Sequence, residues 1–347
     1  MLMSMSKYFF FLLAVLLAAS CTCHRNNNQP KKEKEVKKSE IKVDIIRFEK
    51  EWFAMNPDDI PNELQKLQKK YPKPYDAYYN FVMEFPRFGN QQQQYQVIYE
   101  FLTKKDMKGL YDSVMLKYPN LDFLEEELQT ALANYKSYFP EKPVPLVMTC
   151  ITEFAAFPAF TYGDSILGIC IDDHLGPKYK IYTAADFFYN YQLYGLDKKF
   201  MAVHAMNVLA TNIIPAPDAR STLLDKMIAY GKILYFVQAM LPDREPQEIM
   251  EYTDKQWKWC TDNERQIWSY FLEKKLLYDT RPDQLKYVED GPNTYGMPKD
   301  SPGKVGAWTG WQIVKAYMQK NPNTTLKQLA AITDGQKILE GANYKPD

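Results

Sequence analysis

Apolar residues recur along most of this chain at the three-and-four spacing of helices. Between 44 and 139, Leu64, Leu67 and Tyr71 continue one stripe behind Asn56-Pro57-Asp58-Asp59, which has the order of a cap followed by proline at the first helical position. Further helices are predicted over 75–83, 94–104 and 121–139. Tyr71, Tyr118 and Phe139 each precede a proline; that position resists the helical region, so each marks an end. The middle breaks the pattern. Residues 144–154 and 165–171 are short runs rich in Val, Ile and Thr, with Gly163-Asp164 between them, and they predict a small antiparallel sheet. Helical spacing returns over 184–193, 200–212, 221–241, 254–278, 305–320 and 324–332, and no repeat period is evident. The expected class is mostly α with one small antiparallel β-sheet (α+β), a single body over 43–347 with a helical part at 43–143 and a sheet-plus-helix part at 144–347.

The first residues follow another rule. Lys7, an apolar run over 8–17 and Ala18-Ala19-Ser20-Cys21 have the order of a basic start, an export segment and small residues at a cut site. The run is too short to span a bilayer, which needs about 18 to 20 apolar residues. Residues 1–20 are therefore expected to be a signal peptide, and Cys21 the lipid attachment site that holds the protein on a membrane. Residues 21–42, in which Asn26-Asn27-Asn28-Gln29-Pro30 is followed by a run over 31–40 nearly all Lys, Glu and Val, cannot bury a core and are expected to be a disordered tether. No acidic cluster follows Cys21, which favours an anchor on the outer or inner membrane with the body facing the periplasm.

Charge and composition narrow the partners. Lys plus Arg equals Asp plus Glu at 43 each, so the basic excess that drives nucleic-acid binding is absent. The 26 tyrosines suit either a tightly packed body or an aromatic binding surface. Beyond the leader, Cys150, Cys170 and Cys260 are expected to be buried thiols, and the first two fall in neighbouring strands where they could face each other.

Few residues offer chemistry. Tyr162-Gly163-Asp164-Ser165 has the look of a serine-esterase motif, but no histidine follows His204 to act as base, so a hairpin turn is the better reading. The histidines are His24, His174 and His204, and no two have the i, i+4 spacing of a helical metal site. Asp172, Asp173 and His174 follow a strand and form a polar turn that could hold a cation. Lys232 lies in a helix apolar nearly all round, where the common solution is a head group led to the surface. No catalytic residue, metal or cofactor is assigned.

Several segments together resemble the gliding-motility lipoprotein GldB family of Bacteroidetes: 45–53 (IIRFEKEWF), 135–143 (YKSYFPEKP), 171–176 (IDDHLG), 222–236 (TLLDKMIAYGKILYF), 252–278 with Trp257, Trp259 and Trp268, 300–318 (DSPGKVGAWTGWQIVKAYM) and the ending Asn343-Tyr344-Lys345-Pro346. That family in turn looks distantly similar to predicted zinc peptidases bearing an H-E-x-x-H helix, which makes a degenerate zincin-like architecture an expectation to test. Carried across, His204 takes the first ligand position, Ala205 the general base, Val208 the second ligand and Tyr230 the third; Asn207, Tyr230 and Lys232 join His204 as relict-site candidates. The resemblance implies an envelope lipoprotein associated with gliding and type IX secretion, working beside other envelope proteins. The leading expectation is a non-catalytic docking lipoprotein. The rivals are a metal-dependent hydrolase built from His204, His174 and Asp172, and a glycan-binding lipoprotein.

Overall fold

The computed structural model describes residues 29–154, 157–184 and 188–346; the expected signal peptide, Cys21 and His24 lie outside them. The first helices are α1 (Phe48–Phe53), α2 (Ile60–Lys70), α3 (Gln91–Thr103), α4 (Lys105–Lys117) and α5 (Asp122–Tyr138). Tyr71, Tyr118 and Phe139 close α2, α4 and α5 with φ near −130°, the conformation that the following proline imposes. Each of the three helices also turns an apolar stripe inward, and in α5 that stripe includes Leu124, Leu128, Leu132 and Tyr135.

The sheet has four strands: β1 (Ile46–Arg47), β2 (Leu146–Cys150), β3 (Ala159–Tyr162) and β4 (Ile166–Cys170), in the spatial order β1-β2-β4-β3. The expected two-stranded antiparallel pairing is corrected here to a mixed sheet. β2 and β4 run parallel, as do β1 and β2, and only the β3–β4 hairpin is antiparallel. The cause is β3, whose four residues are too few to show alternation in the sequence. It lies at the sheet's edge and turns the chain back through Gly163, with φ +54°, so that β4 inserts beside β2. All five residues of β4 are buried, as befits a strand covered on both faces. Cys150 and Cys170 are register partners on β2 and β4, both buried free thiols. Beneath β2, Glu49 is buried as a carboxylate paired with Arg47 and accepting from Thr149 Oγ1 at 2.7 Å. The sheet thus joins residues on both sides of position 143.

The remaining helices are α6 (Met201–Thr211), α7 (Leu223–Met240), α8 (Asp254–Asp262), α9 (Glu264–Glu273), α10 (Val305–Lys320), α11 (Leu326–Ala331) and α12 (Gly335–Ala342). α6 packs on β3 and β4, while α7 crosses α10 in the core. Their closeness rests on two glycines: a Cβ on Gly231 would lie 2.3 Å from Gly310 C, and one on Gly310 would lie 1.8 Å from Met227 O. Of the helix expected over 184–193, residues 185–187 lie outside the described residues; Ala184 ends the short helix Lys180–Ala184, and 188–192 are not helical, with rings at 188, 189 and 191 that mimic helical spacing, before a turn at Leu193–Gly195. The stretch 254–278 splits at Asn263 into α8 and α9.

The disordered tether expected over 21–42 is corrected from Gln29 onward. Glu33 and Lys34 donate their backbone N–H to Ser137 O, Val36 N donates to Ser137 Oγ at 3.0 Å, and Gln129 Nε2 donates to Ile41 O at 2.5 Å. Val36 and Ile41 are buried. Two apolar residues in a polar run, together with the hydrogen bonds to Ser137 and Gln129 of α5, suffice to bind it along the body.

Candidate functional site

β2 and β4 end side by side, and the two chains leaving them build a cleft at their carboxyl ends, the usual place for ligands beside parallel strands. From β4 come Asp172, Asp173 and His174, all buried. From β2 come Thr152, Glu153 and Phe154, the last two held at φ +57° and +64°. Asp172 Oδ2 accepts the backbone N–H of Thr152 at 3.0 Å and of Phe154 at 3.1 Å, which holds this strained turn in place. Strain of this kind costs about 1–3 kcal/mol per residue and gathers where structure serves a site. Glu251 at φ +56° and Lys304 at φ +47° face the same cleft.

A chain of polar groups crosses its floor. His174 Nδ1 lies 2.9 Å from Cys170 O, His174 Nε2 lies 2.9 Å from His204 Nδ1, and His204 Nε2 lies 3.1 Å from Glu251 Oε2. The hydrogen positions follow from the end groups. A carbonyl only accepts, so His174 carries its proton on Nδ1 and accepts at Nε2. His204 therefore donates from Nδ1 to His174, and its Nε2 lies against the Glu251 carboxylate. Burial, and the charge on His204, hold the His174 ring down at about 3, so it stays neutral. Burial alone would raise Glu251; His204 and Lys304 outweigh it and draw the carboxylate down to about 2.

Above this floor lies a cavity of about 150 Å³. Its walls include the rings of Phe154, Phe157, Phe188 and Tyr191, and its polar groups are Asp173, Gln192, His204, Glu251, Asp290 and Lys304. Lys304 Nζ pairs with Asp290 Oδ1 at 2.9 Å. Asp173 is 3% exposed, and its Oδ1 meets no hydrogen-bond donor among the described residues. Burial and the neighbouring Asp172 push its carboxyl well up, and the backbone donors on Asp172 leave the charge there and the proton on Asp173.

The sequence candidates are thus divided. His204, His174 and Asp173 meet at the cleft, while Asp172 faces the turn behind it. Tyr230 stands near the Lys304–Asp290 pair, its hydroxyl pushed up by burial and by Glu289 and Asp290. Asn207 lies half-buried on α6, one turn beyond His204. Lys232 is buried and its Nζ donates to Ile332 O at the end of α11, so it serves that helix terminus and not the cleft. Burial draws it down to about 8. Sequence reasoning missed Glu251, Lys304, Asp290 and the four rings: they come from separate loops, and no spacing links them to His204. Gly163-Asp164 is the β3–β4 turn.

The zinc set fails on geometry. Both His204 nitrogens are taken up by His174 and Glu251, Ala205 and Val208 offer no donor, and Asp172 points elsewhere. Among the described residues no group of three His, Cys, Asp or Glu is placed to share a metal ion.

A family model described as gliding motility protein GldB matches residues 29–346, nearly the whole chain. The chain belongs to the GldB family. Its members are gliding-motility lipoproteins, so the protein is a gliding-motility component and a lipoprotein of the cell envelope. The zinc-peptidase kinship finds no support in that match. No curated protein and no solved structure matches the chain. No helix among the described residues is long and apolar enough to cross a membrane. In this GldB-family chain the segments that carried the resemblance have identifiable work: 171–176 forms the floor of the cleft, 222–236 and 300–318 form the α7–α10 crossing and supply Lys304, and 45–53 supplies the buried Arg47–Glu49 pair.

Proposed function

We propose that this protein is an envelope lipoprotein, anchored through Cys21 with its body in the periplasm, that binds other components of the gliding and type IX secretion machinery and assists their assembly without hydrolytic chemistry of its own. One observation supports the reading above others: the histidine that would carry zinc or a general-base role is locked on both nitrogens in the His174–His204–Glu251 chain. A base must release a nitrogen lone pair toward its substrate, and both nitrogens of this ring already face partners inside the protein. What stays open to a visitor is the ring-walled cavity above it.

In-cell crosslinking followed by mass spectrometry tests this. The full lipoprotein is expected to capture defined envelope proteins, and an anchored version lacking 43–347 is expected to lose them. Stoichiometric zinc in protein purified without chelators, together with peptide cleavage, would overturn the binding reading.

A further inference from the structure

We propose that the cavity at the carboxyl ends of β2 and β4 is a receptor for a primary ammonium group on an alkyl stem, with Asp173 as its counter-ion and the rings of Phe154, Phe157, Phe188 and Tyr191 around the stem. The inference rests on the binding reading above and names what is bound. Charge accounting leads to it. Glu251 lies against His204 and Asp290 pairs with Lys304, so two of the three acids lining the cavity already have a partner. Asp173 is left over, buried, with Oδ1 unanswered; the neighbouring Asp172 also has Oδ1 unanswered, but its Oδ2 is held by the backbone of the turn behind.

An unanswered buried carboxyl keeps its proton because water cannot stabilise its charge. A cation of the right size restores the charge and supplies the missing donors, and aromatic faces favour that same cation. A cavity of about 150 Å³, at about 30 Å³ for each water-sized atom, takes about five non-hydrogen atoms. Butylammonium has that size, and so has the end of a lysine side chain; a protein's terminal amine carries the same group on a bulkier, branched carbon. Anions are disfavoured because His204 and Lys304 each already face a carboxylate.

Binding carries a proton signature. The Asp173 carboxyl and the incoming R–NH3+ become a carboxylate–ammonium pair, and the acid's proton passes to the buffer. Asp172, Tyr182, Tyr191, His204, Glu251, Asp290, Lys304 and the buried thiols Cys150 and Cys170 are among the ionisable groups around it, and Asp172 is the one that keeps the Asp173 proton in place when the cavity is empty.

The test is calorimetric titration of the full lipoprotein in detergent with n-butylammonium, n-butanol and butyrate, repeated in buffers of different ionisation enthalpy. Butylammonium is expected to saturate one site with about one proton released, and butanol and butyrate to bind at least about tenfold more weakly. Nα-acetyl-lysine amide and alanine amide then separate a side-chain source from a terminal amine. Asp173→Asn mimics the protonated acid in shape, so it is expected to fold, abolish the proton release and weaken butylammonium by about tenfold. Should it not fold, Phe157→Leu on the exposed rim is expected to weaken the amine without changing the proton count. Equal binding of butanol or butyrate, or amine binding without proton release, overturns the proposal. If amines do not bind while crosslinked partners are still captured, the ligand class is wrong and the docking reading stands.

Discussion

His174 contributes to pH dependence with a definite sign. Its folded value is about 3, against about 6.5 in an unfolded chain. Between those values the unfolded state binds the extra proton, so acidification favours unfolding, and at pH 5 the ring costs about 2 kcal/mol relative to neutral pH. Glu251 acts in the same direction lower down: held at about 2, it gives stability that is present above about 4.3 and lost as pH falls through its folded value. Asp173 works oppositely, since its raised carboxyl favours the folded state while protonated and loses that contribution as pH rises. Urea unfolding of wild type and His174→Gln at pH 7 and pH 5 separates them. Because Asp173 offsets part of the His174 effect over this range, the difference is the readout: on going from pH 7 to pH 5 the variant is expected to fare about 2 kcal/mol better than the wild type; equal changes would mean that His174 is charged in the folded protein. Little of this was legible beforehand. His204 and His174 stand thirty residues apart with no motif between them, and Glu251 sits in a loop whose positive φ the sequence does not announce.

Helices read well because their signals are local. Tyr71-Pro72, Tyr118-Pro119 and Phe139-Pro140 each end a helix through steric exclusion between neighbours, which needs no knowledge of the fold. The sheet read less well for the opposite reason. Two apolar runs show that strands exist, but whether they pair parallel depends on a third strand of four residues and on where the chain turns. The resemblance puts Tyr230-Gly231 at a motif position, but its glycine is needed because α10 lies against it. Gly310→Ala would drive a methyl into Met227 O, and separating the helices enough to admit it is expected to cost about 3 kcal/mol or more. A lower urea midpoint with an unchanged slope checks this. Retained wild-type stability would show that the two backbones are not in contact in solution.

At the scale of the molecule, the stretch from Gln29 to Ile41 changes where the body sits. A free tether over 21–42 would let the body roam far from the bilayer. With Gln29 onward bound along α5, the proposed anchor at Cys21 would leave only eight peptide spacings up to Gln29 for reach, at most about 29 Å when fully extended. The binding is held by Val36, Ile41 and the backbone bonds to Ser137, so Ile41→Ala is expected to cost about 2 kcal/mol and lower the melting temperature by a few degrees. Reach can be altered without touching that packing. Inserting about twenty Gly and Ser residues between Asn28 and Gln29 adds an average span of about 25 Å. The melting temperature is expected to stay constant while capture of envelope partners falls, because a partner held at fixed height in the envelope meets the cleft at lower effective concentration. Unchanged capture with the long linker would mean that height above the membrane plays no part, and that the bound segment serves stability alone.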